Sequence, residues 1–389
     1  MDRKKVLIIS KNDQLKSILA GAGCYSDTSV SAGIDAKIVE GIDILIVDDR
    51  AISYSRYLQD CFIYFKKVKS NFYISSEADT YLSIYKSLSS YGVIVIPPQL
   101  TIKQAAQRII DATAGRSIPT SRVCTFFGAG SGCGTAMVSQ SVAKHLSIIT
   151  GKDVGLLMLG GDGGSDYIKA GEGSYGLPSV KSRLNNSLLL PRELKSACIR
   201  QENLYILSGE SHISKIRYYH PDKIEKLIDL SIEAFDAVLI NCGSRVTGMS
   251  IGALNSSGLK YLITTQSDKY FNNFKIISEQ ILTQLGISPA DFNLILNKFI
   301  DYGELRSEVD LAKDYQMNLS GVIGMVDYPL ALSAERDKKT LSELDQYYKK
   351  SVEAIAYIIA DKLNMKIMEQ KKGTGNFKKF ITKLFGRGA

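Results

Sequence analysis

The sequence predicts an α/β protein made of two doubly wound parallel-sheet domains and a C-terminal amphipathic helix. Short apolar runs alternate with segments of helical periodicity along most of the 389 residues. Most of these runs are apolar throughout, as expected for strands that are covered on both faces. The polar segment 112–121, which contains Gly and Pro, is predicted to link domains at residues 1–111 and 122–368, and residues 369–389 are predicted to form a tail.

Composition favours a globular protein of the cytoplasm. Hydrophobic residues make up 45% of the chain and charged residues 23%. The six cysteines include no Cys-x-x-Cys pair and the three histidines show no metal-ligand spacing, so free thiols in a reducing compartment are expected. Met1 leads into a short strand and not into the apolar segment of a signal peptide, and no apolar stretch of about 20 residues is present.

The net charge of +8 is unevenly distributed. Residues 366–389 contain seven basic residues and one acid, which gives +6 and leaves only +2 for the rest of the chain. A neutral body with a basic tail favours an anionic surface as the target of the tail. Nucleic acid is not expected as a partner.

The elements of the first domain are inferred from its apolar runs and helical spacing. Strands are predicted at residues 5–10, 43–48, 72–75 and 91–96, and helices at residues 13–20 and 101–113. The length and order of these elements resemble a response-regulator receiver domain. Receivers carry the phosphorylated aspartate at the end of the third strand, where this sequence has Asp48.

The motifs of a phosphorylated receiver are incomplete in this domain. The acidic pair expected after the first strand is replaced by the run Lys11, Asn12 and Asp13, and the lysine expected at the end of the last strand is replaced by Ile96. Mg²⁺ then lacks its hard oxygen ligands, and a phosphoryl group lacks a cationic partner. We therefore predict an interaction domain that is not phosphorylated, with control by phosphorylation of Asp48 as the alternative.

The second domain begins with a glycine-rich loop that is typical of phosphate sites. A buried strand at residues 123–127 is followed by a loop with four glycines and by a helix that begins at Thr135. This arrangement directs backbone N–H groups and the positive end of the helix dipole at an anion. The phosphate-binding pattern G-x-x-x-x-G-K-[ST] has a lysine directly before the threonine, and this position is Gly134 here. The alternative interpretation is a glycine-rich turn that serves the fold alone.

Further apolar runs extend the second sheet. Strands are predicted at residues 154–159, 204–208, 237–241, 261–265, 292–297 and 320–325, and helices at residues 222–234 and 341–363. About seven continuous apolar strands indicate a doubly wound parallel sheet with its ligand at the carboxyl ends of the strands.

The second domain resembles the deviant Walker A ATPases of the MinD/ParA group. With the receiver-like first domain, the chain more narrowly resembles the TadZ/CpaE family of pilus-assembly localisation proteins. The pattern of the group, Lys-Gly-Gly-x-Gly-Lys-Thr, falls on residues 129–135, where Ala129 and Gly134 replace the two lysines. Thr135 remains at the position of the Mg²⁺-binding hydroxyl.

This resemblance implies ATP and Mg²⁺ as cofactors, with Thr135 as the metal ligand. The nucleotide-binding residues it implies are Gly130, Ser131, Gly132, Cys133, Gly134, Thr135, Ala136 and Asn297. Asn297 matches the position that contacts the base. The switch-type positions are Asp162, Asp166 and Asn241, the last of which replaces an aspartate.

The loss of charged groups predicts a pseudo-ATPase without catalytic residues. Phosphoryl transfer depends on positioning and on cationic stabilisation, and each lost preorganised group costs about 10²–10³ in rate. Two missing lysines and a neutral Asn241 leave weak nucleotide binding with little or no hydrolysis. The enzyme alternative is an active MinD-like ATPase that takes a lysine from elsewhere, such as Lys152 or a partner subunit.

The tail has the pattern of a membrane-interface helix after a basic hinge at residues 371–375. Its apolar residues recur at i, i+3, i+4, i+7 and i+8, and they are Phe377, Phe380, Ile381, Leu384 and Phe385. Its basic residues Lys378, Lys379 and Lys383 take the other face or its borders. Such a helix lies in the membrane interface, and it is similar to the membrane-targeting helix of MinD. The alternative is a helix docked on its own domain.

Together, these resemblances imply a localisation scaffold at the inner face of the cell membrane. The chain is expected to be peripheral to the membrane and to form a homodimer through its nucleotide face. Its expected partners are proteins of a Tad/Flp-type pilus or secretion apparatus. A MinD-like role in positioning another surface structure is the alternative within this class.

Overall fold

The computed structural model describes residues 4–21, 25–31, 41–61, 68–98, 100, 102–113, 122–160, 167 and 176–368. The chain divides into two compact units. The first consists of Met1–Pro119 and Ile276–Ser288, and the second of Thr120–Lys275 and Pro289–Ala389. The mixed α/β architecture with two parallel sheets confirms the predicted fold class. The tail at residues 369–389 and Asp162 and Asp166 lie outside the described residues, as does the predicted linker from residue 114 onward.

The first unit alternates strands and helices. Its elements are β1 (Lys4–Ile9), α1 (Asp13–Gly21), β2 (Tyr25–Ser31), β3 (Ile44–Asp48), α2 (Tyr54–Arg56, continued by a π turn at Tyr57–Cys61), β4 (Ser70–Ile74), α3 (Ala78–Ser89), β5 (Val93–Ile96) and α4 (Ile102–Thr113). The last helix therefore extends two residues into the segment predicted as a linker.

All described strands of the first unit are parallel, in the order β2-β1-β3-β4-β5. This is the order of flavodoxin-like doubly wound sheets. Leu7 and Ile9 of β1 pack into the core on one face of the sheet, and Val6 and Ile8 into the core on the other. Burial on both faces is why these strands are apolar throughout.

The segment Ile276–Ser288 completes the first unit from a distant part of the chain. It contains a π turn at Ser278–Leu282 and a 3₁₀ turn at Thr283–Leu285. The guanidinium of Arg108 donates hydrogen bonds to the carbonyls of Leu285 (2.8 Å) and Gly286 (3.1 Å), at the carboxyl end of this segment. Carbonyls at a helix terminus have no partner within the helix, and an arginine there satisfies them.

The second unit carries the glycine-rich loop. Its elements are β6 (Val123–Gly128), α5 (Thr135–Thr150), β7 (Val154–Met158), α6 (Gly176–Asn185), α7 (Pro191–Ser196), β8 (Ile199–Gln201), β9 (Leu204–Leu207), α8 (Ile213–Ile216), α9 (Pro221–Ala234), β10 (Ala237–Asn241), α10 (Gly248–Ser256), β11 (Leu259–Thr264), α11 (Asp268–Ile277), β12 (Phe292–Phe299), α12 (Glu308–Tyr315), β13 (Asn318–Gly324), α13 (Tyr328–Arg336) and α14 (Gln346–Lys362).

The strands of the second unit form an eight-stranded sheet in the order β13-β12-β11-β6-β10-β7-β9-β8. Only β8 is antiparallel to its neighbour among the described pairs, and it adds one strand to the seven predicted. The single helix predicted over residues 341–363 is wrong: a 3₁₀ turn at Leu341–Glu343 is followed by a new start at α14. Asp345 caps this helix, since its carboxylate accepts the N–H of Tyr348 at 2.6 Å.

Across the described part of the chain, no helix is long and apolar enough to span a bilayer. The same residues contain no group of three or more His, Cys, Asp or Glu side chains that is placed to hold a metal ion.

Candidate phosphate-binding loop

The loop between β6 and α5 lies at the carboxyl end of a central strand. Its conformation requires glycine at two positions, because Gly132 (φ 88°) and Gly134 (φ 89°) are left-handed. Gly134 is also the N-cap of α5, and its lack of a side chain leaves the first amides of that helix uncapped. Gly128 permits a different close approach, since a Cβ at this position would collide with the Thr135 hydroxyl.

Two side chains of α11 hold carbonyl groups of the loop. The Tyr270 hydroxyl donates to the Ser131 carbonyl at 3.0 Å, and the Asn273 amide donates to the Ala129 carbonyl. The Tyr270 ring lies directly against Gly130, where a Cβ would approach the ring to 2.5 Å. This side of the loop is therefore fixed by a helix that the motif pattern does not include.

The end of β12 holds two further carbonyls. The buried Asn297 donates its amide N–H to the Cys133 carbonyl at 2.7 Å, and Lys298 places its ammonium 2.9 Å from the Gly132 carbonyl. Lys298 has left-handed backbone torsions (φ 54°) at the point where it contacts the loop. The sequence offers no motif that predicts this contact.

The N–H groups of the loop are in the opposite situation from its carbonyls. The remaining carbonyl, that of Gly130, accepts the Cys133 N–H at 3.3 Å. Every carbonyl from Ala129 to Cys133 is therefore hydrogen-bonded. Within the described residues no acceptor meets the N–H groups of Gly130, Ser131, Gly132, Gly134, Thr135 and Ala136. A loop with its acceptors bound and its donors free, at the positive end of a helix, is built to receive an anion.

The backbone at Gly134 leaves no place for the lysine of the motif. A Cβ on Gly134 would collide with the amide nitrogen of Asn297, and its φ of 89° disfavours any residue with a side chain. Asn297 thus uses the space next to Gly134 and commits its amide N–H to the loop. Its contact with a base stays a prediction.

The predicted metal-site residues differ in what they can offer. Thr135 is the first residue of α5 and its side chain is largely buried. Asn241 ends β10, but its Oδ1 accepts the N–H of Gly243 at 2.8 Å and its Nδ2 faces the sulfur of Met158 at 3.9 Å. Among the described residues the loop therefore offers N–H donors for phosphate and the hydroxyls of Ser131 and Thr135, but no carboxylate for Mg²⁺.

The alternative in which Lys152 supplies the missing cation is wrong. Thr135 begins α5, and Lys152 follows the carboxyl end of this 16-residue helix. At 1.5 Å per residue the two ends are about 24 Å apart, beyond the reach of a lysine side chain. Lys298 is the lysine that touches the loop in the described part of the chain.

Cys133 contributes no charge to the loop. Its side chain is fully buried, and burial raises the pKa of its thiol to about 11. A thiol with this pKa is neutral at physiological pH and behaves as a small apolar group. Cys124, Cys198 and Cys242 are likewise free and buried.

The candidate receiver position is satisfied by neutral donors. Asp48 is buried at the end of β3, its Oδ2 accepts the Ser10 hydroxyl at 2.7 Å, and its Oδ1 accepts the Arg50 N–H at 3.0 Å. Asn12 and Asp13 line a shallow opening beside it. Ile96, which stands in place of the receiver lysine, is buried at the end of β5.

Comparison with known proteins identifies the fold of one domain through solved structures of low sequence identity. No protein-family model and no curated protein matches the chain. A ParA family ATPase from Chlorobium tepidum aligns with a TM-score of 0.54 at 15% identity, over 61% of this chain and 99% of that one. The septum site-determining protein MinD of Pyrococcus horikoshii, in complex with Mg-ADP, aligns with a TM-score of 0.50 at 15% identity, over 61% of this chain and 95% of that one. The chain therefore contains an α/β domain with the fold of ParA and MinD ATPases.

Proposed function

We propose that this protein is a localisation scaffold that binds the phosphates of a nucleotide in the loop between β6 and α5 and hydrolyses it very slowly. The observation that carries this proposal is the polarity of the loop. Its carbonyls from Ala129 to Cys133 are held by the protein, while six of its N–H groups meet no described acceptor. The MinD of P. horikoshii, which shares the fold, was solved with Mg-ADP.

Binding by this loop does not depend on the missing lysines. Backbone amides and the helix dipole are part of the main chain, and the dipole alone contributes about 0.3–1 kcal/mol at an exposed helix terminus. Lys298 adds a cation at the rim through its contact with Gly132. We expect weak binding of ATP, because no charged side chain of the described residues takes the position of the lysine that would contact the β- and γ-phosphates.

Hydrolysis requires groups that the loop does not contain. Ala129 and Gly134 lack the two cations, and the carbonyl oxygen of Asn241 is used by the N–H of Gly243. Each absent preorganised group lowers the rate by about 10²–10³. We therefore assign a pseudo-ATPase role, in which nucleotide stabilises a conformation or a dimer.

Isothermal calorimetry of the full chain with ATP and Mg²⁺ tests the binding step. Gly134→Ala places a Cβ against Asn297 and should weaken binding at least about tenfold, because the strained residue distorts the phosphate loop. Gly303→Ala is the matched control, since nothing lies within 4 Å of its Cβ position. Absence of any heat at millimolar ATP would reject nucleotide binding, and a turnover near one per second would reject the pseudo-ATPase.

The scaffold role rests on the domain organisation and on the tail. A receiver-like domain at residues 1–111, a degenerate nucleotide domain at residues 122–368 and a basic amphipathic tail resemble the TadZ/CpaE family. The flavodoxin-like strand order and the neutral donors around Asp48 support a first domain that binds partners without phosphorylation. We assign the chain to the inner face of the membrane, as a homodimer that positions a Tad/Flp-type pilus or secretion apparatus.

Flotation with vesicles that contain anionic lipid tests the membrane step. Phe380→Glu places a charge on the apolar face of the tail and should abolish flotation. Thr382→Glu adds the same charge outside that face and should reduce it only slightly. Equal flotation of the wild type and Phe380→Glu would show that the tail is not an anchor.

A further inference from the structure

An exposed apolar surface lies at the carboxyl ends of β12 and β13. These strands are paired, and the Met325 N–H donates to the Phe299 carbonyl at 2.9 Å, so the chain segments that leave them are adjacent. Six large side chains of these segments are about half exposed or more, and they are Ile300, Tyr302, Leu305, Met325, Tyr328 and Leu332. Tyr328 and Leu332 are four residues apart in α13 and therefore lie on the same face of the helix.

The same part of the chain is acidic, although the protein as a whole is basic. Residues 300–337 contain eight carboxylates and three basic side chains, a net charge of −5, against +8 for the whole chain. Of the three basic groups, Arg306 is paired with both Asp268 and Asp314. We call the six apolar side chains together with the acidic residues of this segment the acidic apolar surface.

A partner for this surface must offer apolar side chains and positive charge together. Contiguous exposed apolar patches on soluble proteins mark sites of interaction. The tail of the same chain has this composition: residues 369–389 contain six basic residues and one acid, a net charge of +5, and five apolar residues at helical spacing. The two charges are opposite in sign.

The tail begins within reach of the surface. The Met368 N–H donates to the Ile149 carbonyl at 2.8 Å, which fixes the start of the tail near the carboxyl end of α5, at the amino-terminal edge of the sheet. The surface is about 26 Å away along the eight residues of β12. It is also about 14 Å away across the sheet, because α5 packs on β7 and β10 and β12 lies three strands from β10. The combined distance is about 30 Å, and the nine Cα steps from residue 368 to residue 377 span up to about 32 Å when extended.

We propose that residues 377–387 dock on the acidic apolar surface of the same molecule, and that this docking competes with the membrane for the apolar face of the tail. A docked tail is unavailable to lipid, so occupancy of the surface controls attachment. The competition with lipid rests on the proposed membrane role of the tail, whereas the docking itself is independent of both membrane and nucleotide binding. A docked tail also covers the acidic apolar surface, so a partner protein can bind there only after the tail has dissociated.

Hydrogen exchange of the full chain tests the docking directly. With an effective concentration in the millimolar range for a tethered segment, docking should slow exchange of the amides in residues 300–306 and 328–336 about tenfold. Phe380→Glu should remove this protection. Tyr328→Lys should release the tail from the other side, and Tyr347→Lys, which makes the same change at a residue that is 82% exposed on α14, should leave the protection intact.

Vesicle flotation of the same variants separates docking from the alternatives. A tail that is docked about nine-tenths of the time binds lipid about tenfold more weakly than a free one, so Tyr328→Lys should raise the apparent affinity about tenfold over Tyr347→Lys. Exchange that is identical in the wild type and Phe380→Glu would overturn the proposal, even if Phe380→Glu abolishes flotation. Protection that grows with protein concentration would also overturn it, since the tail would then occupy a second copy.

Discussion

Restoring the lysine of the phosphate-binding motif should fail to restore an ATPase. In most loops of this type, Gly134→Lys would complete the pattern before Thr135. Here the new Cβ would collide with the Asn297 amide, and the residue would have to keep a φ of 89° or rebuild the loop. We expect Gly134→Lys to lose stability and to gain no hydrolysis.

The magnitude follows from two separate costs. A left-handed conformation costs an L-residue about 1–2 kcal/mol. Loss of the buried hydrogen bond from Asn297 to the Cys133 carbonyl costs about 1–3 kcal/mol more. A total of about 2–5 kcal/mol corresponds to a decrease in Tm of roughly 4–20 °C for a domain of this size.

Thermal unfolding and a phosphate-release assay measure the two outcomes. The double variant Gly134→Lys with Asn297→Ala should be more stable than the sum of the two single effects predicts. Asn297→Ala removes the amide that the new side chain would meet, and the hydrogen bond to Cys133 is then lost only once. Gly303→Ala again serves as the control. A Gly134→Lys protein with wild-type Tm and ATP turnover above background would refute the conclusion that this backbone excludes a lysine.

Three further predictions follow from buried or hydrogen-bonded groups. Burial lowers the pKa of His145 to about 4. Below pH 6.5 the unfolded chain therefore binds a proton that the folded chain does not bind, and the free energy of unfolding should fall by about 3 kcal/mol between pH 6.5 and 4. A denaturation series in which the His145→Gln variant keeps the same dependence on pH would contradict this. Tyr270→Phe should weaken ATP binding about two- to tenfold through loss of its bond to the loop, whereas Tyr347→Phe should not, and equal calorimetric affinities would remove Tyr270 from the site. Asp48 should take up no label from acetyl phosphate, because its carboxylate oxygens accept the Ser10 hydroxyl and the Arg50 N–H and the position of the receiver lysine is the apolar Ile96. Stoichiometric labelling that Asp48→Asn abolishes would show a working receiver.

The strands that the sequence predicts are those that burial on both faces makes apolar. β6 and β10 lie in the middle of the second sheet, are buried along their whole length, and were visible as continuous runs. β2 and β8 escaped prediction for the opposite reason. The residues Tyr25–Ser31 are mostly polar, the residues Ile199–Gln201 number only three, and both strands lie at the edges of their sheets. Pairing with a neighbour, and not local composition, determines such strands.

In the candidate site, too, the sequence predicts the features that are close together in the chain and misses the contacts between residues that are far apart. The glycine loop and the start of α5 are local, and the motif located both. The side chains of Tyr270, Asn273 and Lys298 bind carbonyl groups more than 130 positions earlier in the chain. No spacing rule connects residues that far apart, and the replacement of the motif lysine by Gly134 becomes intelligible only when Asn297 is seen against it.

Preorganisation explains how a loop without lysines can still bind an anion. Fixing the backbone of one residue costs about 1–2 kcal/mol, and a loop ordered only by its ligand takes that cost from the binding free energy. Here α11 and β12 hold four of the loop carbonyls before any ligand arrives. The backbone entropy cost that is avoided on binding compensates for part of the attraction that a lysine would supply. The same rigidity limits catalysis, because amides fixed around a bound phosphate provide no mobile cation for the charge that develops during transfer.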